Sequence, residues 1–365
     1  AAAKAKAEAE AKAAADKAAF DKLDLNANGE LTKAEFDLSQ APIDWFRAVD
    51  MIDLSISSYE LLKDPKSWKL PGPPAEYTLL KVIYTNQSFI ESLSNSFDKW
   101  VKNGKLIPKD MVLSGGSPYF NEATGKPRSD IDVYNLIFSK IVLYGFIAED
   151  KNGDVFVSFR GTEGFYEWVK DFKADLQPCT FLKNVTAAKD AKAHKGFNDI
   201  YDGCYVGDLN VVNDKGDSVR TYLSSLNKTN NNLYLTGHSL GAAVAVLSAC
   251  DMVANAVDKF KKIHMYNYAS PKLSNKAFND FFYNKVLNSC WRLHNQNDLV
   301  PTVPPGNDYE SLDVGYSTDF GNKLPSPLSL EAYVKAVIAN HSPDAYRTVV
   351  IAARNKTTEG GNNGL

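Results

Sequence analysis

Asn232-Leu233-Tyr234-Leu235-Thr236-Gly237-His238-Ser239-Leu240-Gly241-Ala242-Ala243-Val244-Ala245-Val246-Leu247-Ser248-Ala249-Cys250 is the stretch on which the fold turns. Residues 233–236 read as a short buried strand, and 242–250 as a helix of small, apolar residues. Between them lies a Gly-x-Ser-x-Gly pentapeptide, Gly237 to Gly241. A serine hydroxyl is a poor nucleophile unless it is exposed, strained and next to a base. A tight strand-to-helix turn gives that exposure, and the flanking glycines let the chain pass close without a Cβ clash. A structural loop is the plainer reading of such a pentapeptide, but the strand and helix signals on either side favour a nucleophile at Ser239.

With 365 residues there is room for one large core plus an appendage. The apolar fraction of 44% and charged fraction of 23% are those of a globular protein rather than a disordered or membrane-spanning one. A net charge of −3 without a basic cluster argues against nucleic acid as the partner. No apolar run approaches the ~18–20 residues of a transmembrane helix, so contact with a membrane would be at its surface. The chain starts without Met or an apolar signal core, which fits a processed or trimmed chain. Cys179, Cys204, Cys250 and Cys290 permit two bridges in three connectivities, or none. Asn-x-Ser/Thr sequons begin at Asn86, Asn184, Asn227, Asn340 and Asn355, which suits a secreted protein. A secreted monomer is the expectation.

Residues 1–19 hold twelve alanines punctuated by Lys, Glu and Asp, a strongly helix-forming arm. The arm runs into Asp24-Leu25-Asn26-Ala27-Asn28-Gly29-Glu30-Leu31-Thr32-Lys33-Ala34-Glu35. This has the spacing of a twelve-residue EF-hand loop. Asp24, Asn26 and Asn28 offer side-chain oxygens at positions 1, 3 and 5, and Gly29 makes the turn. Glu30 adds a backbone carbonyl, and Glu35 closes as a bidentate ligand. The expected cofactor is a structural Ca2+, with no catalytic cofactor. Only Asp24 and Glu35 bring charge inward, so modest affinity is expected; a loop that has lost its metal is the plainer reading. Phe46 to Asp50 echoes Phe20 to Asp24, and Ile56, Ser57 and Glu60 echo Leu31, Thr32 and Glu35. That second loop is one residue short and lacks the glycine, so an empty, degenerate partner is expected. Residues 1–64 are therefore read as a helical arm and a small all-α EF-hand-like pair, ending at Lys63-Asp64-Pro65.

The spacing at 76–103 predicts one or two helices. Residues 141–148 and 154–159 read as strands of a hairpin with Asn152-Gly153 at its turn. The second strand ends in Arg160-Gly161-Thr162, where backbone N–H groups can face a developing oxyanion. Phe165, Trp168, Val169 and Phe172 follow at i, i+3, i+4 and i+7, either as an ordinary core-facing helix or as an amphipathic flap beside the site. Their position directly after the oxyanion candidate favours the flap. Further strands at 263–268 and 290–294 alternate with helices, which implies a mostly parallel, doubly covered sheet over 65–353. Residues 354–365 read as a frayed polar tail.

In folds with this elbow the order is Ser, then Asp or Glu, then His. His194 precedes the serine, His238 is inside the pentapeptide and aimed away, and His264 is mid-strand. Asp298 follows a strand end just past His294, and His341 follows Asp298 in a loop-like Asn340-His341-Ser342-Pro343. His341 is thus the better base, with Asp298 its orienting acid; Asp313 and Asp319 are the competing acids.

Assembled in order, these residues resemble the fungal-type class 3 lipases. The resemblance rests on Phe159-Arg160-Gly161-Thr162, the Trp168 flap, His194-Lys195-Gly196-Phe197, the elbow with His238, Asn297-Asp298-Leu299-Val300-Pro301, and His341 with Tyr346. It covers residues 143 to about 347 and implies an α/β-hydrolase fold acting on ester bonds at lipid surfaces. By that similarity Thr162 and the Leu240 N–H would form the oxyanion hole and the flap would be a lid. The resemblance departs at Gly241-Ala242, where the family commonly has Gly-Gly, and leaves the calcium loop unexplained. The reading is a serine esterase hydrolysing acylglycerols through an acyl-enzyme. A phospholipase or feruloyl-type esterase could use the same machinery, and an inert calcium-dependent binding protein is the rival from another class.

Overall fold

Val155-Phe156-Val157-Ser158-Phe159 is buried at every position, as suits a strand covered on both faces. A computed structural model describes residues 43–65, 67–72, 76–85, 142–161, 175–209, 216–284, 289–295, 297–304, 308–312, 315–318 and 339–360. Among these residues the strands are β1 (Tyr77–Thr85), β2 (Val142–Asp150), β3 (Val155–Phe159), β4 (Leu176–Pro178), β5 (Lys192–His194), β6 (Cys204–Gly207), β7 (Asp217–Ser218), β8 (Lys228–His238), β9 (Phe260–Tyr268), β10 (Ser289–Asn295) and β11 (Gly315–Thr318). Nine of them form one sheet in the order β11-β10-β9-β8-β3-β2-β1-β6-β7, while β4 and β5 pair separately. From β3 through β8, β9 and β10 to β11 the pairing is parallel. From β3 through β2, β1 and β6 to β7 it is antiparallel. The sheet is therefore mixed, with its parallel half carrying the pentapeptide.

Among the described residues the α-helices are α1 (Trp45–Lys63), α2 (Lys195–Asp202), α3 (Val219–Leu226), α4 (Leu240–Asn255), α5 (Lys276–Asn284) and α6 (Pro343–Gly360). Alternation along the strands sends side chains to two cores. Val155, Val157, Phe159, Leu233 and Leu235 pack with Ala243, Val244 and Leu247 of α4. Phe146, Phe156, Tyr266 and Tyr268 pack on the other face with Met51 and Ile52 of α1 and Tyr346 and Val350 of α6. Every residue from Leu240 to Val253 is buried, which suits a helix that is apolar on nearly every side, Ser248 and Asp251 being its polar exceptions. All four cysteines are free and buried.

Helix α1 is fixed on the sheet by a row of hydroxyls. Tyr268 of β9 donates to the Ala48 carbonyl (2.5 Å), Thr236 of β8 to Met51 (3.1 Å) and Ser158 of β3 to Leu54 (3.0 Å). Three residues of helix rise about 4.5 Å, close to the strand spacing of about 4.8 Å. A helix crossing the sheet thus meets one strand for each three-residue step, and the row sets its axial register.

Several expectations are corrected here. Residues 45–63 form one uninterrupted helix, so the degenerate second loop is absent and the boundary at 64 does not separate a small domain from the sheet. Of the residues that echoed a loop, Asp50 pairs with Arg47 (3.5 Å) and the Ser57 hydroxyl accepts from the Trp68 ring N–H (3.0 Å). Residues 77–85 are strand, not helix. Val82 joins the α1-side core and Ile83 the α4-side core, so burial on both faces removes the alternation that marks a strand. Residues 354–360 continue α6 rather than fraying, and Arg354 stacks 5.8 Å from the Phe46 ring. The arm at 1–19, the calcium loop with Asp24, Asn26, Asn28, Glu30 and Glu35, and residues 86–103 lie outside the described residues.

Candidate active site

The pentapeptide closes a turn between the C-terminal end of β8 and the first residue of α4. Its glycines are required by close approach. A Cβ on Gly237 would lie 2.3 Å from the Gly241 carbonyl oxygen, and one on Gly241 would lie 2.3 Å from the Phe159 carbonyl oxygen. Ser239 takes φ 62° and ψ −128°, a left-handed conformation that side chains disfavour. Its amide donates to the Tyr268 carbonyl (2.9 Å), tying the turn to β9. A serine before a helix ordinarily caps the first turn with its hydroxyl. Ser239 makes no such side-chain bond; its Oγ lies 2.9 Å from His341 Nε2.

His341 Nδ1 lies 2.8 Å from Asp298 Oδ2. An ionised carboxylate only accepts, so the Nδ1 proton points at Asp298 and the Nε2 lone pair is left for the serine O–H. Asp298 is held on both oxygens. Oδ1 accepts from the Val300 amide (2.9 Å), and Oδ2 also accepts from the Tyr346 hydroxyl (2.9 Å). Tyr346 in turn accepts from the Asn295 amide at the end of β10 (3.0 Å). Asn295 donates through Nδ2 to the Asn340 carbonyl (3.3 Å), and Asn340 donates to the Asn297 carbonyl (3.2 Å). These amides lock the acid-bearing and base-bearing loops together.

The elbow places the Leu240 N–H at the start of α4, where the first helical donors have no acceptor within the helix and carry the positive end of its dipole. Gly161 runs against the same spot, since a Cβ there would sit 3.1 Å from Ser239 Cβ. Arg160 ties the Gly161 carbonyl through Nη1 (2.8 Å) and the Leu143 carbonyl through Nε (2.9 Å). Thr162 and the flap residues Phe165, Trp168, Val169 and Phe172 lie outside the described residues.

His194, His264 and His294 stand apart from this chain of bonds, whereas His238 is not aimed away as expected: its ring lies against His341, 4.7 Å between centroids. Burial pushes His264 and His294 down to about 4, each helped by neighbouring cations, and does the same to His194, which caps α2 by accepting from the Gly196 amide (3.0 Å). His238 is fully buried and held well below the ordinary imidazole range by desolvation and by His341. The structure thus brings together Ser239, Asp298, His341 and Leu240. Sequence reasoning passed over Arg160, Asn295 and Asn340; the run Asn295-Gln296-Asn297-Asp298, dense in turn-forming amides, was the available signal.

Residues 156–308 match the class 3 lipase family. The matched stretch contains Ser239 and Asp298 and stops before His341. Among curated proteins, phospholipase A1-II 1 of Oryza sativa subsp. indica is 28% identical over 190 residues, 50% of this chain and 45% of that one. Phospholipase A1-IIalpha of Arabidopsis thaliana is 30% identical over 164 residues, 41% of this chain and 39% of that one. The chain therefore spans less than half the length of these two curated relatives. Among solved structures, the lipase from Rhizopus microsporus var. chinensis is 27% identical with a TM-score of 0.35, covering 44% of this chain and 51% of that chain.

Proposed function

We propose that this chain is a serine hydrolase that cleaves the carboxylic ester bonds of glycerolipids through an acyl-enzyme. The observation that carries the proposal is the hydrogen-bonded run Ser239–His341–Asp298, in which Ser239 Oγ turns to the imidazole rather than capping its helix. Ser239 Oγ attacks the ester carbonyl as its proton passes to His341 Nε2. Asp298 keeps the proton on Nδ1 and stabilises the imidazolium. The Leu240 N–H and the Thr162 amide receive the oxyanion, and the hold of Arg160 on the Gly161 carbonyl supports a fixed peptide at that edge. The alcohol leaves with the Nε2 proton, and water then repeats the sequence in reverse on the acyl-enzyme.

Ser239 is only 1% exposed, so an ester reaches it after covering groups move aside. The apolar spacing of Phe165, Trp168, Val169 and Phe172 supports their segment as the lid that does so at a lipid surface. The match to the class 3 lipases supports a lipid ester, and the names of the curated relatives favour phospholipid as a second substrate beside triacylglycerol. The test is hydrolysis of one triacylglycerol and one phosphatidylcholine across their solubility limits, with Ser239→Ala as blank. A rate that jumps when droplets or vesicles form supports the lidded lipid hydrolase. Wild-type turnover by Ser239→Ala would overturn the assignment.

For residues 24–35 we propose a structural Ca2+, held by Asp24, Asn26, Asn28, Glu30 and Glu35, that steadies the chain ahead of α1 and takes no part in the chemistry. A chelator is then expected to lower Tm while leaving the rate of the folded enzyme unchanged. Lost turnover at unchanged Tm would reverse that reading.

A further inference from the structure

We propose that Tyr59, on α1, is a positioning residue for the base: it holds His238, and His238 braces the ring of His341. The inference rests on the serine-hydrolase reading and deepens it, because it extends the working site to a helix outside the family match, which begins at residue 156.

The Tyr59 hydroxyl lies 3.0 Å from His238 Nδ1, with the two rings at 60° and 6.0 Å between centroids. The His238 ring lies against His341, 4.7 Å between centroids at a tilt of 40°, and meets Tyr346 edge-on at 5.7 Å. His238 Nε2 is buried and makes no hydrogen bond of ordinary geometry. A neutral imidazole has one acceptor nitrogen and one donor. The His238 carbonyl lies farther from the same hydroxyl, at 3.5 Å, so the Tyr59 O–H is given to Nδ1 and the proton of His238 sits on Nε2. One phenol thereby selects the tautomer and the orientation of the ring that packs on the base.

Two features show that this contact is built into the fold. A Cβ on Gly161 would lie 2.1 Å from the Tyr59 oxygen, so the glycine after Arg160 is what admits the hydroxyl to the edge of the site. The row of bonds at Ala48, Met51 and Leu54 fixes the register of α1, and Tyr59 follows Leu54 by five residues, about 7.5 Å along the axis. A shift of α1 by one residue would rotate the phenol by about 100° away from His238. His341 must hold Nε2 on the serine hydroxyl and Nδ1 on the carboxylate together, and a loose ring satisfies only one of them.

The experiment compares wild type, Tyr59→Phe, His238→Ala, the double variant and Ser239→Ala, all as the full chain. Two readouts are used: kcat and KM on a soluble short-chain p-nitrophenyl ester, and the rate at which a small fluorophosphonate labels the serine. Losing one hydrogen bond through an intermediary predicts that Tyr59→Phe lowers kcat and the labelling rate by about 3- to 10-fold. KM is expected to stay within about twofold, because Tyr59 acts through the base and not on the ester. His238→Ala is expected to lose more, and adding Tyr59→Phe to it should cause no further loss. His238→Phe, which keeps a ring of similar shape, serves if the alanine variant does not fold. Tyr59→Phe at the wild-type kcat and labelling rate, or fully additive losses in the double variant, would overturn the inference alone. A wild type that the probe does not label at Ser239 would overturn the serine reading, and the inference with it.

Discussion

Replacing Asp298 by Asn tests the site with almost no change in volume. In the protein Oδ1 accepts from the Val300 amide, while Oδ2 accepts from His341 Nδ1 and from the Tyr346 hydroxyl. The asparagine amide has two ways to lie. Placing its NH2 toward Val300 sets donor against donor in a buried spot, at about 1–3 kcal/mol. The other orientation puts the NH2 toward His341, and Tyr346 can turn its hydroxyl to accommodate it. The protein should take this second orientation, which forces His341 to accept at Nδ1 and carry its proton on Nε2. The nitrogen that takes the serine proton is then already occupied. In a Ser-His-Asp site of the same logic the wrong tautomer lowers kcat by about 10⁴, about 5.5 kcal/mol at about 1.4 kcal/mol per tenfold change. The assay is kcat on a soluble p-nitrophenyl ester, which separates chemistry from interfacial binding, together with Tm. A fall of three to four decades with Tm nearly unchanged is expected. An Asp298→Asn enzyme within tenfold of wild type would refute the assignment of Asp298 as the group that fixes the tautomer.

Shortening the chain to residues 65–365 is expected to leave no soluble folded protein. Met51, Ile52, Leu54 and Leu61 are fully buried, each worth roughly 1.5–3 kcal/mol, which together rivals the whole stability of a domain; a monodisperse, cooperatively melting product would contradict this. Gly241→Ala is expected to lose about 3 kcal/mol, near the upper end for overpacking, because its Cβ would meet backbone atoms of Phe159 and Arg160 that cannot swing away; urea midpoints measure it. Stability should also fall as pH drops from 7 to 5.5. His194, His264 and His294 are pushed down to about 4 and His238 well below its ordinary value by burial, whereas unfolded imidazoles titrate near 6.5. Their contribution is intact above about 6.5 and is withdrawn below it, as the unfolded chain takes protons that the folded one refuses. About 1.4 kcal/mol per pH unit is the ceiling for a fully buried site, and solvent screening lowers it at the partly exposed His294; a Tm that is flat or rising over this window would count against it.

The elbow, the hairpin and the strands β9 and β10 were legible in the sequence because each is decided within about ten residues by glycine placement and apolar runs. The order Ser239, Asp298, His341 was legible too, since in this kind of fold it follows from chain direction. Helix α1 was not. Its Asp50, Ile56, Ser57 and Glu60 echo the spacing of the loop at 24–35, while the strands β3, β8 and β9 that fix the segment as a helix on the sheet lie far along the chain. Strand β1 failed for a different reason: with cores on both faces it lacks the alternation that betrays a strand. Tyr59 had no local signature, because its partner His238 is 179 positions away.

The conformation of Ser239 has a consequence for the life of the sequence itself. A side-chain-bearing residue at φ 62° and ψ −128° holds about 1–3 kcal/mol of backbone strain that a glycine would not. Ser239→Gly is therefore expected to melt a few degrees higher than the parent while hydrolysing nothing. Stability alone would drift this position toward glycine, so its serine marks a chain kept for turnover rather than for endurance.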